Sequence, residues 1–467
     1  MLKRSIFAMI MLASLALWGA EVGTSSGHFF DNETTPTLTN IKIEFSLFNI
    51  QYLSPSATEN SSQQQGLFEI NLQKNDILHY RFHALSGKFS TPKSAFFSLP
   101  EASVGYSGRD DLNFVTVGRQ IQGFSFIDKQ QNLGLFNSNF TNDNLIFQEQ
   151  GLVGIHAGAH VSNFGFHGGY YPYYLPNQGP QLYEENGEMR ATNRWSKKPP
   201  KQFSFASQNH EIIYEIRDYN LVDVIKHDGY AASAFFGESE NRPWVQVSYA
   251  HKPISEIALS RDTYATAQNF DGHVKLSPVV TYSEIRSLDV NADSLWLKAT
   301  LSYIEDQPEN KVAKNNEALQ FLEPVKAYSL WLSTDLSEIF EKTVVIDLMY
   351  SEILGGEIQD LVADGTPSIF TFSNQRALYK KPLSVSLRSD WFFIQRKPIQ
   401  TTLKWTYDRS YRGSIISGLF TLEAIAKVKV GLGFDILGTD DDIPEHTNFI
   451  KDNQANDRVY GGLQYAF

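Results

Sequence analysis

Basic side chains at alternate positions of polar faces are the residues with the clearest chemical potential. The set comprises Arg81, Lys275, Lys298, Arg388, Lys404, Lys427 and Lys429. Four acidic residues occupy similar positions: Asp347, Asp390, Asp408 and Asp435. Rings of basic side chains attract anions, so several such faces around one cavity would favour small polar or anionic solutes. The alternative is that these charges pair across neighbouring strands and only fill a wall.

Histidine, cysteine and serine patterns give little support for a metal or catalytic site. His79 and His83, like His156 and His160, are four residues apart, which is about 13 Å in a strand and too far to share one ion. The chain has no cysteine, which excludes disulfides and thiolate sites. Residues 105–108 read Gly-Tyr-Ser-Gly and lack the spacing of a nucleophile elbow. We predict no metal, cofactor or enzymatic activity, although dispersed catalytic residues would escape this search.

A two-residue alternation of apolar and polar side chains carries the basic residues. It recurs in residues 41–47, 68–73, 78–84, 274–282, 295–303, 344–351, 383–390, 403–408 and 427–436. This period is typical of half-buried strands, and no helical block or linker interrupts it. Hydrophobic residues make up 42% of the chain and charged residues 20%, so the chain is not disordered. The sequence therefore predicts an all-β protein.

The N-terminus has the layout of a secretory signal peptide. Lys3 and Arg4 precede an apolar stretch from Ile6 to Leu17, which is followed by Gly19 and Ala20. We predict a signal peptide at residues 1–20 and a single domain at residues 21–467. The net charge is −12, and removal of two bases makes it more negative, which argues against a nucleic-acid partner.

Short and long connections alternate along the chain. The short ones are residues 74–76, 108–111 and 424–426, and the long ones are residues 120–144, 173–203, 305–322, 353–378 and 438–457. Many apolar faces end in an aromatic residue, among them Tyr282, Tyr303, Tyr350 and Tyr407. Short turns, long loops and aromatic girdles are typical of an antiparallel transmembrane β-barrel, here with roughly 16 to 20 strands and about 18 as the best estimate. A large exported β-sandwich is the alternative, because it shows the same alternation.

The last ten residues favour the barrel. Tyr460, Gly462, Tyr465 and Phe467 resemble the C-terminal assembly signal of Gram-negative outer-membrane β-barrels, in which a polar residue and a glycine precede two aromatics. The resemblance implies that Phe467 lies on the lipid face and that the barrel-assembly machinery recognises this strand. It also implies outer-membrane lipid and lipopolysaccharide as neighbours.

A second resemblance lies in residues 115–120, which read Val-Thr-Val-Gly-Arg-Gln. They look like the Gly-Arg-Gln of many trimeric porins, where it stands near the top of an early strand, ahead of a loop that folds into the pore. The resemblance implies that Arg119 lines a pore and that residues 121–144 form such a loop. The alternative is that Arg119 lies at the edge of a strand and has no role in the pore.

Together these observations predict a porin-like channel in the cell outer membrane for small hydrophilic solutes, with anions as one option. The pore-lining candidates are Arg81, Arg119, Lys275, Lys298, Arg388 and Lys404. Two alternatives are a barrel that exports a polysaccharide or anchors a surface machinery, and an outer-membrane hydrolase. A wide lumen without an inward constriction would favour the export barrel. A homo-oligomer is compatible with every one of these interpretations.

Overall fold

The computed structural model describes residues 39–467 with internal gaps. The gaps are residues 55–61, 75–76, 90–93, 109–112, 144, 180–181, 192–193, 197, 206, 238–243, 266–271, 295, 314–316, 363–374, 396 and 441–447. The predicted signal peptide at residues 1–20 lies outside the described residues.

Eighteen antiparallel strands form one closed barrel. They are β1 (Thr39–Tyr52), β2 (Ser62–Lys74), β3 (Leu78–Phe89), β4 (Ser94–Ser107), β5 (Asn113–Gln120), β6 (Leu152–Val161), β7 (Phe164–Tyr173), β8 (Gly229–Phe236), β9 (Val245–Pro253), β10 (Tyr282–Asp293), β11 (Leu297–Pro308), β12 (Val325–Asp335), β13 (Val344–Gly355), β14 (Pro382–Ile394), β15 (Lys397–Asp408), β16 (Gly413–Ile425), β17 (Val428–Thr439) and β18 (Arg458–Ala466). Each strand pairs with the next, and β18 pairs with β1. The predicted fold class and the estimate of 18 strands are confirmed.

The alternation of each strand places apolar side chains on the outer surface and polar side chains towards the lumen. Exposed outward residues include Phe45, Tyr106, Val117, Phe166, Val247 and Leu301. Buried inward residues include Ser46, Thr116, Ser248, Ser287, Thr300 and Ser351. This is the reverse of a soluble protein, which buries its apolar side chains, and it matches a barrel whose outer face contacts lipid. The soluble β-sandwich alternative is therefore wrong.

The two ends of the barrel differ in the length of their connections. At one end every connection between barrel strands has two to eight residues, whereas the other end carries residues 121–151, 174–228, 254–281, 309–324, 356–381 and 440–457. Because short periplasmic turns and long extracellular loops are the rule for such barrels, we call these the inner and outer ends. Within the described ranges, no helix has the length and apolar character needed to cross a membrane.

Four of the outer connections contribute strands to a second sheet. Its order is Gln202–Phe205, Gln208–Ile216, Gly272–Val279, Ala258–Ala265, Glu317–Leu322 and Ile358–Leu361. One face is apolar and buries residues such as Ile212, Val274 and Leu276. Residues 274–279, which share the alternation of the barrel strands, therefore belong to this outer sheet and not to the barrel wall. The remaining strands form two hairpins, Ser138–Asp143 with Ile146–Gln150 and Leu182–Glu185 with Glu188–Ala191.

Among the described residues, short helices occur only in the connections between strands. They are Phe126–Gln130, Leu221–Ile225, Ser337–Phe340 and Phe449–Asn453, followed by a 3-10 turn at Gln454–Asn456.

The C-terminal strand completes the barrel with Tyr465 and Phe467 outward and Tyr460 towards the lumen. Tyr465 lies opposite Phe45 and Leu463 opposite Leu47, both on the lipid-facing side of β1. The backbone N–H of Phe467 donates to the carbonyl oxygen of Ile43 at 2.9 Å. The predicted face of the terminal strand is thus the observed one, while its recognition by the assembly machinery stays a prediction.

Replacing Phe467 with Asp should impair barrel assembly, because it puts a charge where an exposed aromatic ring meets lipid. The penalty for a charge on the lipid face is about 2–4 kcal/mol for a base at the membrane midplane and falls to about 0–1 kcal/mol near the interfaces. Because Phe467 follows the inner end of β18, the loss of its aromatic side chain from the assembly signal should account for most of the effect. The folded fraction can be read from the heat-modifiable mobility of the chain on a gel. Lys404→Ala, on the lumen side, is the control and should leave the folded fraction unchanged. Equal folded fractions in both variants would contradict the placement of Phe467.

Candidate functional site: a loop-lined constriction

The outer connection at residues 121–151 folds into the lumen. It leaves the barrel after β5, runs along the inner wall past β9 to β13, and returns through the hairpin Ser138–Asp143 and Ile146–Gln150. Its apolar residues Phe124, Ile127 and Phe136 are almost fully buried. They pack in one cluster with inward-facing residues of the wall, namely Tyr171, Ala231, Ala250, Ile285, Ile304, Ala327 and Ile353. We call residues 121–151 the lumen loop.

Polar side chains of the wall hold the backbone of the lumen loop. The hydroxyls of Ser248 and Ser287 donate to the carbonyl oxygen of Phe124 at 2.6 and 3.0 Å. The N–H of Phe126 donates to Asp289 Oδ2 at 2.9 Å. The N–H of Ile127 donates to Ser302 Oγ at 3.3 Å and Gln131 Nε2 to Ser351 Oγ at 3.1 Å. The polar wall thus satisfies backbone groups that would otherwise be buried unpaired.

Asp128 organises the turn that follows the short helix of the lumen loop. Its two carboxylate oxygens accept the backbone N–H groups of Leu135 and Phe136 at 2.9 and 2.8 Å. Burial raises the pKa of Asp128 to about 6, although these two hydrogen bonds oppose the rise. The carboxylate is therefore a structural clamp within the loop.

The tip of the lumen loop is tied to the opposite wall by Arg458. This guanidinium is 2% exposed, donates through Nε to Asp435 Oδ2 at 2.7 Å and also bonds Asp143 at the loop tip. It lies 5.3 Å from the ring centre of Trp195 and 5.4 Å from that of Tyr460. A buried cation with two carboxylates and two rings around it is well compensated. The lumen loop therefore spans the barrel from β5 to β18.

Arg119 secures the base of the lumen loop. By its position in β5, Arg119 would point outward like Val115 and Val117. Gly118, immediately before it, has a φ of 128°, and this backbone conformation interrupts the alternation of the strand. The buried guanidinium donates to the carbonyl oxygens of Gly151 at 3.0 Å and Leu99 at 2.7 Å. The side chain thus joins the two ends of the loop, and a role of Arg119 in lining the pore stays a prediction.

Three of the basic candidates lie on the lumen side of β11, β14 and β15, towards the inner end. Arg388 and Lys404 are exposed to the lumen and Lys298 is half-buried. Arg388 is 3.7 Å from Asp347 Oδ2, which also accepts the hydroxyl of Ser386 at 2.9 Å. In the described part of the chain neither Lys298 nor Lys404 has a carboxylate within 4.0 Å. This wall therefore presents basic groups to the solvent of the lumen.

Arg81 lies on the facing wall, where acids accompany the bases. It is half-buried on the lumen side of β3. Nearby, His83 Nε2 is 2.8 Å from Glu69 Oε1, and on β1 Lys42 Nζ is 3.1 Å from Glu44 Oε1. The lumen therefore contains both signs of charge. On the wall of Lys298, Arg388 and Lys404 three acids, Asp335, Asp347 and Asp390, equal the bases in number, so the slight basic excess expected from the sequence is not found there.

Lys275 does not lie on the barrel wall. It belongs to Gly272–Val279 in the outer sheet and pairs with Glu215 Oε2 at 3.1 Å. The same alternation that marks a barrel strand arises here because one face of the outer sheet is buried. Sequence alternation alone cannot tell these two surfaces apart.

Histidines gather on the lumen side of β6 and β7 without forming a metal site. His156 and His167 are buried, and their ring centres are 6.4 Å apart. Gln122 of the lumen loop lies 3.0 Å from His156 Nδ1. No group of three or more His, Asp or Glu side chains with a geometry for a metal ion occurs among the described residues. These rings pack the base of the lumen loop.

Comparisons with known proteins add only resemblances at low identity. No family model matches the chain, and no curated protein matches it. Among solved structures it is similar to a BenF-like porin from Pseudomonas fluorescens Pf-5, with a TM-score of 0.47, 10% identity and coverage of 92% of this chain and 98% of that one. It is also similar to OccAB3 of Acinetobacter baumannii, with a TM-score of 0.41, 12% identity and coverage of 92% of this chain and 99% of that one. The closed barrel, its apolar outer surface and its inward loop themselves make this chain a porin-like outer-membrane β-barrel.

Loosening the tip of the lumen loop should widen the constriction. Asp143→Asn removes one of the two carboxylates that hold Arg458 while Asp435 remains, at a cost of about 1–3 kcal/mol. Single-channel recordings should then show roughly tenfold more frequent transitions to a larger conductance. Asp223→Asn, on an exposed helix of another outer connection, is the control. Unchanged conductance in the Asp143 variant would contradict the anchoring role of the ion pair.

The charge of the constriction should depend on pH through Glu149 of the lumen loop. Burial raises the pKa of Glu149 to about 7, while Lys129 and the amide of Asn137 lower it; Asp128 and Glu101 also face it. Because the carboxylate is ionised above this pKa and neutral below it, we expect a stronger preference for cations at pH 8 than at pH 6.

The measurement is the reversal potential in a salt gradient across this pH range. Glu149→Gln should abolish the step near pH 7, while a smaller step near pH 6 from Asp128 can remain. A step near pH 7 that persists in this variant would assign the titration to another group.

Proposed function

We propose that this barrel lets small hydrophilic solutes diffuse across the outer membrane and that it prefers anions. The observation that carries the proposal is the combination of a lumen loop across the barrel with exposed bases on the wall below it. The loop supports a narrow passage, since it leaves β5, runs along β9 to β13 and bonds β18 at its tip. Exposed basic side chains in such a passage attract anions.

The acids on the basic wall are more strongly engaged than its lysines. Asp347 accepts from Ser386 and pairs with Arg388. Asp390 accepts from the hydroxyl of Thr343 at 3.2 Å, and Asp335 accepts from the backbone N–H of Ser337 at 2.9 Å. These bonds hold the carboxylates towards turns and neighbours, whereas the ammonium groups of Lys298 and Lys404 stay available to a passing anion.

The constriction also bears on the alternatives. A barrel that exports a polysaccharide needs a wide lumen, and the lumen loop argues against it. A hydrolase needs a nucleophile next to a base. Ser107 Oγ lies 2.9 Å from His79 Nδ1, but it is buried at the inner end, and Thr116 Oγ1 lies 3.0 Å from His79 Nε2. This arrangement supports a packed wall better than a catalytic centre.

Reversing the charge of Lys404 should lower the anion preference. Lys404→Glu puts a carboxylate at the exposed position, so the chloride-to-potassium permeability ratio should fall about threefold to tenfold in a planar bilayer. Lys275→Glu is the matched control, because that lysine has the same sequence context but lies in the outer sheet. An equal fall in both variants would show that the effect arises from the total charge, and no fall in either would refute the anion preference.

A further inference from the structure

A pocket of about 350 Å³, part of it open to solvent, lies at the outer end of β6 to β9, between the barrel wall and the lumen loop. Most of its lining is apolar or aromatic and includes Leu152, Val153, Tyr171, Tyr173, Tyr174 and Leu175. Tyr173 is 52% exposed, so the pocket opens to solvent on that side. A concave site of this size with mainly apolar walls is typical of the binding site of a small organic molecule.

One buried ammonium group also lines this pocket. Lys252, on the lumen side of β9, is 4% exposed. Its Nζ donates to the carbonyl oxygen of Pro253 at 3.1 Å and to Ser255 Oγ at 3.2 Å. Both acceptors are neutral, and an ammonium group has a third N–H to donate. In the part of the chain that the structure describes, no carboxylate oxygen lies within 4.0 Å of this Nζ.

The acids that attract this ammonium group from a longer distance, Asp306 and Asp128, have closer partners of their own. Asp306 Oδ2 is 2.6 Å from Arg376 Nη1, and the same carboxylate accepts from the hydroxyl of Ser283. Asp128 accepts two backbone N–H groups of the lumen loop. A buried charge without a close counter-ion is costly. The charge of Lys252 therefore favours an anion in the pocket.

A second polar group of the pocket belongs to the lumen loop. Ser138, at the start of the hairpin Ser138–Asp143 and Ile146–Gln150, is 2% exposed and lines the pocket. Its Oγ has no hydrogen-bond partner among the residues that the structure describes. Because most buried hydroxyls are hydrogen-bonded, an unpaired one beside a pocket indicates a ligand that accepts from it. The pocket thus combines a positive charge, a hydroxyl donor and apolar walls.

We propose that this pocket binds a small organic monoanion, with one carboxylate on an apolar body, at a site separate from the basic wall of Lys298, Arg388 and Lys404. The ammonium group of Lys252 pairs with the carboxylate, and the hydroxyl of Ser138 donates to it. The apolar body contacts the aromatic and aliphatic lining. An inorganic anion does not use these apolar walls, and a neutral amide does not supply a counter-ion to the ammonium group.

The bound anion connects the barrel wall to the lumen loop, because Lys252 belongs to β9 and Ser138 to the loop hairpin. Its binding therefore stabilises the lumen loop in its position across the barrel. The ligand acts as a regulator of the constriction and stays in place while solutes pass. The site is thus independent of the charge preference of the pore.

Fluorine NMR of the detergent-refolded mature chain tests this proposal. The probe is 4,4,4-trifluorobutanoate, whose line broadening during a titration gives the dissociation constant. Its amide, 4,4,4-trifluorobutanamide, is the neutral probe of the same shape, and chloride at equal concentration is the inorganic competitor. The test variants are Lys252→Met and Ser138→Ala. The control is Lys404→Met, which removes a base from the lumen side towards the inner end. Heat-modifiable mobility shows that each variant is folded.

We expect the carboxylate to bind the wild-type chain and the control with equal affinity and the amide to bind roughly tenfold more weakly. Lys252→Met should weaken carboxylate binding at least about tenfold, and Ser138→Ala about fivefold. If Lys252→Met does not fold, the result for Ser138→Ala decides.

Unchanged affinity in the test variants would overturn the proposal, as would equal binding of the amide or displacement by chloride at equal concentration. A loss of binding in Lys404→Met alone would place the carboxylate on the basic wall. That outcome would overturn the pocket as the binding site and still support the anion preference of the pore.

Discussion

The pairing of β1 with β18 is the contact on which the other features of the barrel depend. In a membrane, no water is available to satisfy an open strand edge, so a spanning sheet must close on itself. The register of this seam places Tyr465 and Leu463 opposite Phe45 and Leu47. A shift by one residue would turn every outward aromatic side chain of β18 into the lumen. Closure therefore defines the lumen in which the loop and the bases lie.

The polar inner wall makes it possible for the lumen loop to be ordered inside the barrel. A loop without regular structure exposes unpaired backbone groups, and burial of these groups is costly unless partners are present. Serine and aspartate residues on β9, β10 and β11 supply these partners. The same small polar side chains leave space for Phe124 and Ile127, which are buried against apolar neighbours of the wall.

Local features of the sequence predicted much of this architecture. The two-residue alternation led to about 18 strands, and the resemblance at residues 115–120 led to a loop folded into the pore, which the structure shows at residues 121–151. Lys275 was misplaced, because a strand of the outer sheet alternates just as a barrel strand does. The bond between Arg458 and Asp143 joins residues 315 positions apart, and no local pattern in a single sequence encodes such a contact.

Charges on this barrel are used differently on its two faces, and the difference follows from what surrounds them. On the lumen side, water keeps a lone ammonium group such as that of Lys404 stable without a partner, so it can interact with a transient solute. On the outward side, a lone charge next to hydrocarbon would be too costly, and the bases Arg286, Lys326 and Lys381 near the outer end are each accompanied by a carboxylate. The lumen thus holds both paired bases, such as Arg458 and Arg388, and bases such as Lys404 with no carboxylate within 4.0 Å among the described residues. This constraint explains how a base such as Lys404 can stay open to a passing ion on the lumen side, where water solvates it.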